Sequence, residues 1–212
     1  KEIQKPADLI GKKIGILNFG GSNDLAVSLA FKEWNIPRQA VTILATGGAA
    51  ERLAALSTKA IDATVLAPPE TAAATRMGMN FLANLSDLSA SFPNTVITVR
   101  RSFLEKNRET VKRFVRAYSE AIYRFKVDKE KSMAVYAKRL KQQDPKIVEA
   151  THQYYAPRFS YPPRFDRSGV RNALELISQR NPEARGDINV EQFIDESVID
   201  ELEREGFFKK LR

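Results

Sequence analysis

Cysteine is absent from all 212 residues, which removes disulfides, thiolate nucleophiles, lipid attachment through sulfur and most structural zinc sites together. Histidine occurs once, at His152, so a histidine-based triad has to run through that residue and no multi-histidine metal site can be assembled. An enzyme reading starts at a disadvantage, and neither a metal nor a cofactor is expected. No run of about 18 apolar residues occurs, because Arg, Asp or Glu interrupt the longest stretches, so no membrane-spanning helix is expected. Lys1-Glu2-Ile3-Gln4-Lys5-Pro6 has no apolar region behind its charges, so any export signal is expected to have been removed or never to have existed.

What is present has ordinary globular composition, 43% hydrophobic and 28% charged, in a length that allows one large domain or a pair of small lobes. The net charge of +8 is unevenly spread. Residues 1–99 are nearly balanced at +1, residues 100–171 hold 19 Lys/Arg against 8 Asp/Glu, and residues 172–212 carry −4. A basic stripe suggests nucleic acid or an anionic surface. Here the charges recur at helical spacing opposite apolar positions, the pattern of a solvated helix face, so no nucleic-acid partner is expected.

Periodicity organises the first 80 residues as alternating strands and helices. KKIGIL at 12–17 reads as a strand, followed by the glycine loop Gly20-Gly21-Ser22-Asn23 and an apolar-periodic helix from Leu25 to Trp34. Val41 to Leu44 repeats the strand, and Gly47-Gly48 opens a second helix through Arg52, Leu53 and Leu56. Ala60 to Leu66 supplies a third strand, Pro68-Pro69 a helix start, and Phe81 to Ala83 a last short strand. This order predicts a small α/β lobe with a mostly parallel sheet. After a strand at Thr95 to Val99 the pattern becomes helical: Val111, Phe114, Val115, Tyr118, Ile122 and Phe125 mark one long buried face behind Asn107, with further helices capped at Asp128, Asp144 and Ser168. The Pro-, Arg- and aromatic-rich stretch 156–167 reads as a loop whose rings pack back onto the helices, with base stacking as the alternative. His152 is expected to be exposed or only partly packed.

A glycine turn ahead of a helix exposes backbone amides that lack intrahelical partners, and the helix dipole adds about half a positive charge there. Two such turns, 20–23 and 46–49, follow predicted strands, where open α/β sheets bind ligands. The bland alternatives are an ordinary cap at Ser22 or Asn23 and a tight turn at Gly47. Neither turn has the GxGxxG spacing or the P-loop lysine, which argues against dinucleotides and nucleoside triphosphates and for a smaller ligand. Arg52 either pairs with a ligand anion or lies on the surface. Asp62 either meets a ligand or is buried on backbone amides, and Glu70 either contacts a ligand or complements its helix dipole.

Read together, DLIGKKIGI, the GGSND loop, GGAAERLAAL, AIDATVLAPPE, FPNTVITVRRSFLEKNRETVKRFVRAYSEAI and KVDKEKSMAVYAKRL resemble the nitrate/sulfonate/taurine-type periplasmic solute-binding proteins of ABC importers, a family that also includes pyrimidine-precursor binders. The resemblance spans most of residues 6–160. It implies a two-lobed, hinge-closing α/β protein of the periplasmic-binding-protein-like type II class, in the periplasm or outside the cell. Such a protein traps a small organic anion or zwitterion between its lobes without chemistry and hands it to a membrane permease. On this analogy residues 6–92 form the second-lobe ligand-binding domain. Residues 93–212 form the hinge return strand and the α-rich remainder of a first lobe whose initial half is missing, with a second chain as the candidate to complete it. The ligand residues carried over are Gly21, Ser22 and Asn23 as donors, Gly47 and Gly48 as the facing loop, Pro68 and Glu70 at the third strand end, and Asn94 near the hinge. Enzymes are known on the same architecture. The synthase branch depends on a cysteine motif that this sequence lacks, whereas a menaquinone-pathway dehydratase-like activity and an effector-sensing domain remain alternatives.

Overall fold

Three short parallel strands form the one sheet among the described residues of this computed structural model, residues 3–181 and 188–211. Lys1 and Glu2 of the amino-terminal reading lie outside them. Strand β1 (Lys13–Ile16) is central, with β2 (Thr42–Ala45) on one side and β3 (Ala63–Thr64) on the other. Ile14, Gly15 and Ile16 are buried in succession, as expected of a strand covered on both faces. The register runs from Lys13 opposite Thr42 to Ile16 opposite Ala45. Crossovers are made by α1 (Ser22–Glu33) and α2 (Ala49–Ser57), and α3 (Glu70–Arg76) follows β3.

Two expected strands do not form. Phe81 to Ala83 is irregular, with Phe81 68% exposed, and Thr95 to Val99 stays outside any sheet. Both have strand-forming residues, but a strand is stabilised by cross-strand pairs, and the sheet provides no neighbour for either. The third strand likewise shortens to two residues.

The chain divides into two compact units, Lys1–Asn94 with Arg167–Ile188, and Thr95–Asp166 with Asn189–Arg212. The boundary expected after residue 92 therefore falls after Asn94, and residues 167–188, expected within the segment 93–212, belong to the first unit; of these, 182–187 lie outside the described residues. The reason is α8 (Arg167–Arg180), which packs on α1. Helix α1 is accordingly buried almost all round, from Ala26 through Phe31, instead of presenting one apolar stripe. Leu9, Ile14, Ile16, Val27, Phe31, Ile36 and Val41 form the core of this unit.

The regular elements among the described residues of the second unit are all helices, chiefly α4 (Arg101–Lys106), α5 (Arg108–Val127), α6 (Lys129–Leu140), α7 (Pro145–Tyr155), α9 (Ser197–Arg204) and α10 (Phe207–Lys210). Asp128 and Asp144 cap α6 and α7, accepting from the amides of Lys131 at 3.1 Å and Lys146 at 3.0 Å. Asn107 is not a side-chain cap. Its amide group donates back to the Phe103 carbonyl, because α4 ends immediately before it. On α5 the buried positions are Val111, Val115, Ser119 and Ile122, while Phe114, expected in the core, is 58% exposed and stacks on Tyr118. The space over the buried stripe is filled by Val198, Ile199 and Leu202 of α9 with Phe207 and Phe208, and Phe114 sits about 100° round the helix from Val115.

His152 also departs from expectation. It is 5% exposed, with its ring against Phe125 and a ring nitrogen 2.7 Å from the Phe125 carbonyl oxygen, because the face of α7 carrying Ile147, Val148 and Thr151 turns inward. The loop 156–167 packs inward as its prolines suggested, with Phe159 edge-on to Phe125 and Tyr161 edge-on to Phe208.

Part of the uneven charge of the sequence is paired within this unit. Glu201 of α9 meets Lys112 at 2.8 Å and Arg108 at 3.2 Å, and Lys112 also meets Glu205. Arg164 gathers Glu196, Asp200 and Glu203 at 3.2, 2.8 and 2.7 Å. The acidic tail is the counter-charge of the basic middle segment.

Leu202 is fully buried, so Leu202→Ala should destabilise the protein by about 2–5 kcal/mol in urea unfolding. The Lys112 ammonium, with Arg108, holds the Glu201 carboxyl below its ordinary 4.5. Its contribution is therefore present above that pH and lost as pH falls through the lowered value. Unfolding midpoints measured from pH 6 to 2 should decline less steeply in Glu201→Gln than in the parent.

Candidate functional site

All three strands run the same way, so their carboxyl ends share one edge of the sheet. From β1 the chain leaves through Gly20, Gly21, Ser22 and Asn23; from β2 through Gly47 and Gly48; from β3 through Pro68 and Glu70. The candidate residues of the first unit are thus brought to one edge by topology. Asn94 follows no strand of the sheet: it is exposed, on no regular element, at the last position before the chain enters the second unit.

In the first turn the neutral Asn18 side chain lies over Gly21, where a Cβ would meet its Oδ1. Gly20 has φ +77°, a conformation in which a side chain is strained, and Gly21 is the N-cap of α1 with no side-chain cap. Ser22 is the first helical residue and caps nothing. Asn23 does not cap either; its side-chain oxygen accepts from the amide of Leu17 at 3.3 Å, tying the end of β1 to the helix start. Among the described residues no oxygen accepts from the amides of Ser22 and Asn23.

Asp24 was not singled out by sequence reasoning. It is fully buried, accepts from the amide of Gly20 at 2.8 Å, and meets the guanidinium groups of Arg38 at 2.5 Å and of Arg180 on α8. The same two arginines donate to the Ser28 hydroxyl, at 2.9 and 2.5 Å. Burial acts to raise the Asp24 carboxyl, but the Gly20 amide and the arginines outweigh it and hold the carboxyl below its ordinary value. An acidic residue beside Leu25-Ala26-Val27 was the available sign, but partners at 14 and 156 residues' distance leave no local pattern.

The second turn is built differently. Gly47 has φ +96° and Gly48 is the N-cap of α2, again with no side-chain cap. The Glu51 side chain folds over it: a Cβ on Gly48 would lie 2.7 Å from Glu51 Oε2. A carboxylate therefore already sits at this helix start, where it complements the dipole. Arg52 is neither a surface residue nor free for a ligand anion. It is 6% exposed, donating to the carbonyl of Gly47 and, at 3.5 Å, to that of Val65, which ties the β2 and β3 exits together. Burial pulls its pKa down, opposed by Glu70 and Glu51.

At the third exit Pro68-Pro69 is a cis peptide, and the amide of Glu70 donates to Ala67 at 3.0 Å. Asp62 is exposed rather than buried, though its carboxylate does accept from the Lys13 amide at 2.8 Å. No group of three metal-ligating side chains is present among the described residues, and no helix there is long and apolar enough to cross a membrane. A separate open cleft of about 260 Å³ lies at the other end of α1, floored by Leu29 and Leu176 and rimmed by Lys32, Glu33 and Glu175.

Residues 1–128 match the family model described as NMT1/THI5 like, more than half of the chain. The chain belongs to the NMT1/THI5-like family. This is a family of periplasmic binding proteins that also takes in pyrimidine-precursor-related members. A solved structure of a protein from Bordetella bronchiseptica RB50 is similar to this NMT1/THI5-like chain with a TM-score of 0.68 and 19% identity, over 96% of this chain and 68% of that one. At that identity the likeness is one of fold. No curated protein matches the chain.

Gly47→Ala should cost about 1–2 kcal/mol of stability, since an alanine there is held at positive φ. Chemical denaturation of the variant beside Gly78→Ala, an exposed turn glycine with φ +76° and open space around its Cβ, checks whether Gly47 carries any cost beyond backbone strain.

Proposed function

We propose that this NMT1/THI5-like chain is the solute-binding component of an ABC importer, of the type II binding-protein class, acting in the periplasm or outside the cell. It holds a small zwitterion or organic anion of the taurine or sulfonate kind and makes or breaks no bond. The observation that carries this reading is the contrast between neighbouring strand exits: unpaired amides at Ser22 and Asn23 beside the neutral Asn18 side chain, and an exposed carboxylate, Glu51, folded on the Gly47–Gly48 turn.

Unpaired first-turn amides favour an anionic group. A carboxylate at the adjacent turn opposes a second anionic group and favours an ammonium. A molecule with a sulfonate or carboxylate at one end and an ammonium at the other complements both, which selects the zwitterion over nitrate. The partners in this reading are that solute and a membrane permease. A second polypeptide chain lies over the exposed apolar residues of the second unit, Phe103, Phe114 and Val96.

Native mass spectrometry of the protein as purified reads retained solute and assembly state together; a solute released unchanged at one per chain supports transport, and a mass that turns over to product opposes it. In calorimetry with taurine, Ser22→Pro, which removes one of the two amides at a helix position that tolerates proline, should weaken binding by about 1–3 kcal/mol. Glu51→Gln should weaken taurine by about tenfold and leave ethanesulfonate unchanged. Equal loss for both ligands would remove the zwitterion assignment.

A further inference from the structure

Within the first unit, one buried carboxylate joins two parts of the chain that sequence separates by more than 150 residues. Asp24 Oδ2 accepts from the Gly20 amide at 2.8 Å and from Arg180, while Oδ1 accepts from Arg38 at 2.5 Å. Ser28, one turn further along α1, takes the second nitrogen of each arginine and donates its own hydroxyl to the Asp24 carbonyl at 2.8 Å. Two guanidinium groups thus grip one carboxylate and one hydroxyl in the same two-point manner. Arg180 is at the last turn of α8, and α8 belongs to a segment, 167–188, flanked on both sides by chain of the second unit.

We propose that Asp24 is a positioning residue for the ligand turn, and that α8, through Arg180, controls how firmly that turn is held. The Gly20 amide is the only backbone group of the turn fixed by a buried charge, and Gly20 is where the chain takes its positive-φ step before presenting the amides of Ser22 and Asn23. With α8 docked, the charge of Asp24 is shared among Arg38, Arg180 and Gly20, and the turn has a single geometry. With α8 released, the carboxylate loses its partner most distant in sequence and can rotate toward Arg38, leaving the Gly20 amide free. Docking of α8 and ordering of residues 17–23 are then one equilibrium, and whatever favours either favours both. The stated importance of the turn rests on its being the ligand's; the coupling itself does not.

The test is hydrogen exchange on the full chain without ligand, followed residue by residue in the parent, Arg180→Met and Asp24→Asn. Arg180→Met should speed exchange at α8 and, about tenfold, at the Gly20 amide, although the hydrogen bonds of Arg180 go to Asp24 and Ser28 and to none of residues 17–23. Arg180→Lys, which keeps the charge and the fold, should show the same pair of changes at smaller size. Faster exchange confined to α8, with Gly20 within about twofold of the parent in both arginine variants, overturns the coupling. Taurine calorimetry on the same proteins separates the two readings: coupled exchange with no taurine binding in any of them sinks the ligand assignment and leaves the coupling standing.

Discussion

Parallel pairing of β1 with a neighbour on each side is the constraint from which the rest of the first unit follows. Because β2 and β3 run in the same direction as the central strand, each must be reached by a crossover, and each crossover begins at the same edge. The helices take the two faces, the glycine turns take the edge, and the amides that open α1 and α2 have nowhere else to face. Arg52 reinforces this from within by donating to carbonyls of two different exits. A buried cation bonded only to backbone oxygens is expensive unless its geometry is fixed, and here it fixes the spacing of the β2 and β3 turns.

The second unit depends on a different balance. Its helices carry most of the basic residues, and its apolar stripe on α5 is covered by a tail segment that is strongly acidic. Hydrophobic burial at Val198, Ile199 and Leu202 supplies the attraction, while the carboxylates along α9 supply registration by meeting Lys112, Arg108 and Arg164 in order. A basic middle and an acidic end, which in sequence look like a surface for an outside partner, thereby meet each other at Arg108, Lys112 and Arg164 within one helical cluster.

What the sequence made legible was local. Glycine turns, strand 12–17, the caps at Asp128 and Asp144 and the inward-packing aromatic loop are specified by neighbours within a few residues, and they stand where expected. What it concealed was set by residues far apart. Asp24 looks like one more polar residue until Arg38 and Arg180 arrive. Thr95 to Val99 has the composition of a strand, but composition does not supply a partner. His152 was misread because helix α7 buries a face that mixes Ile147 and Val148 with Thr151, too polar a stripe to announce itself. Phe114 was misread the other way, since an aromatic ring at helical spacing looks like core one position away from the true stripe. Of the candidate edge, the turn carrying Ser22 and Asn23 is legible in the sequence as chemistry, while the covering carboxylate of Glu51 is legible only as geometry.

The placement of α8 means that the first unit is not a continuous piece of chain. A fragment ending at Asn94 would keep all three strands and both glycine turns, yet it would leave Asp24 with one arginine where the whole protein supplies two, and one flank of α1 bare. Truncation at a single junction would consequently fail to yield an intact lobe, so this lobe can be excised only by cutting at several boundaries together.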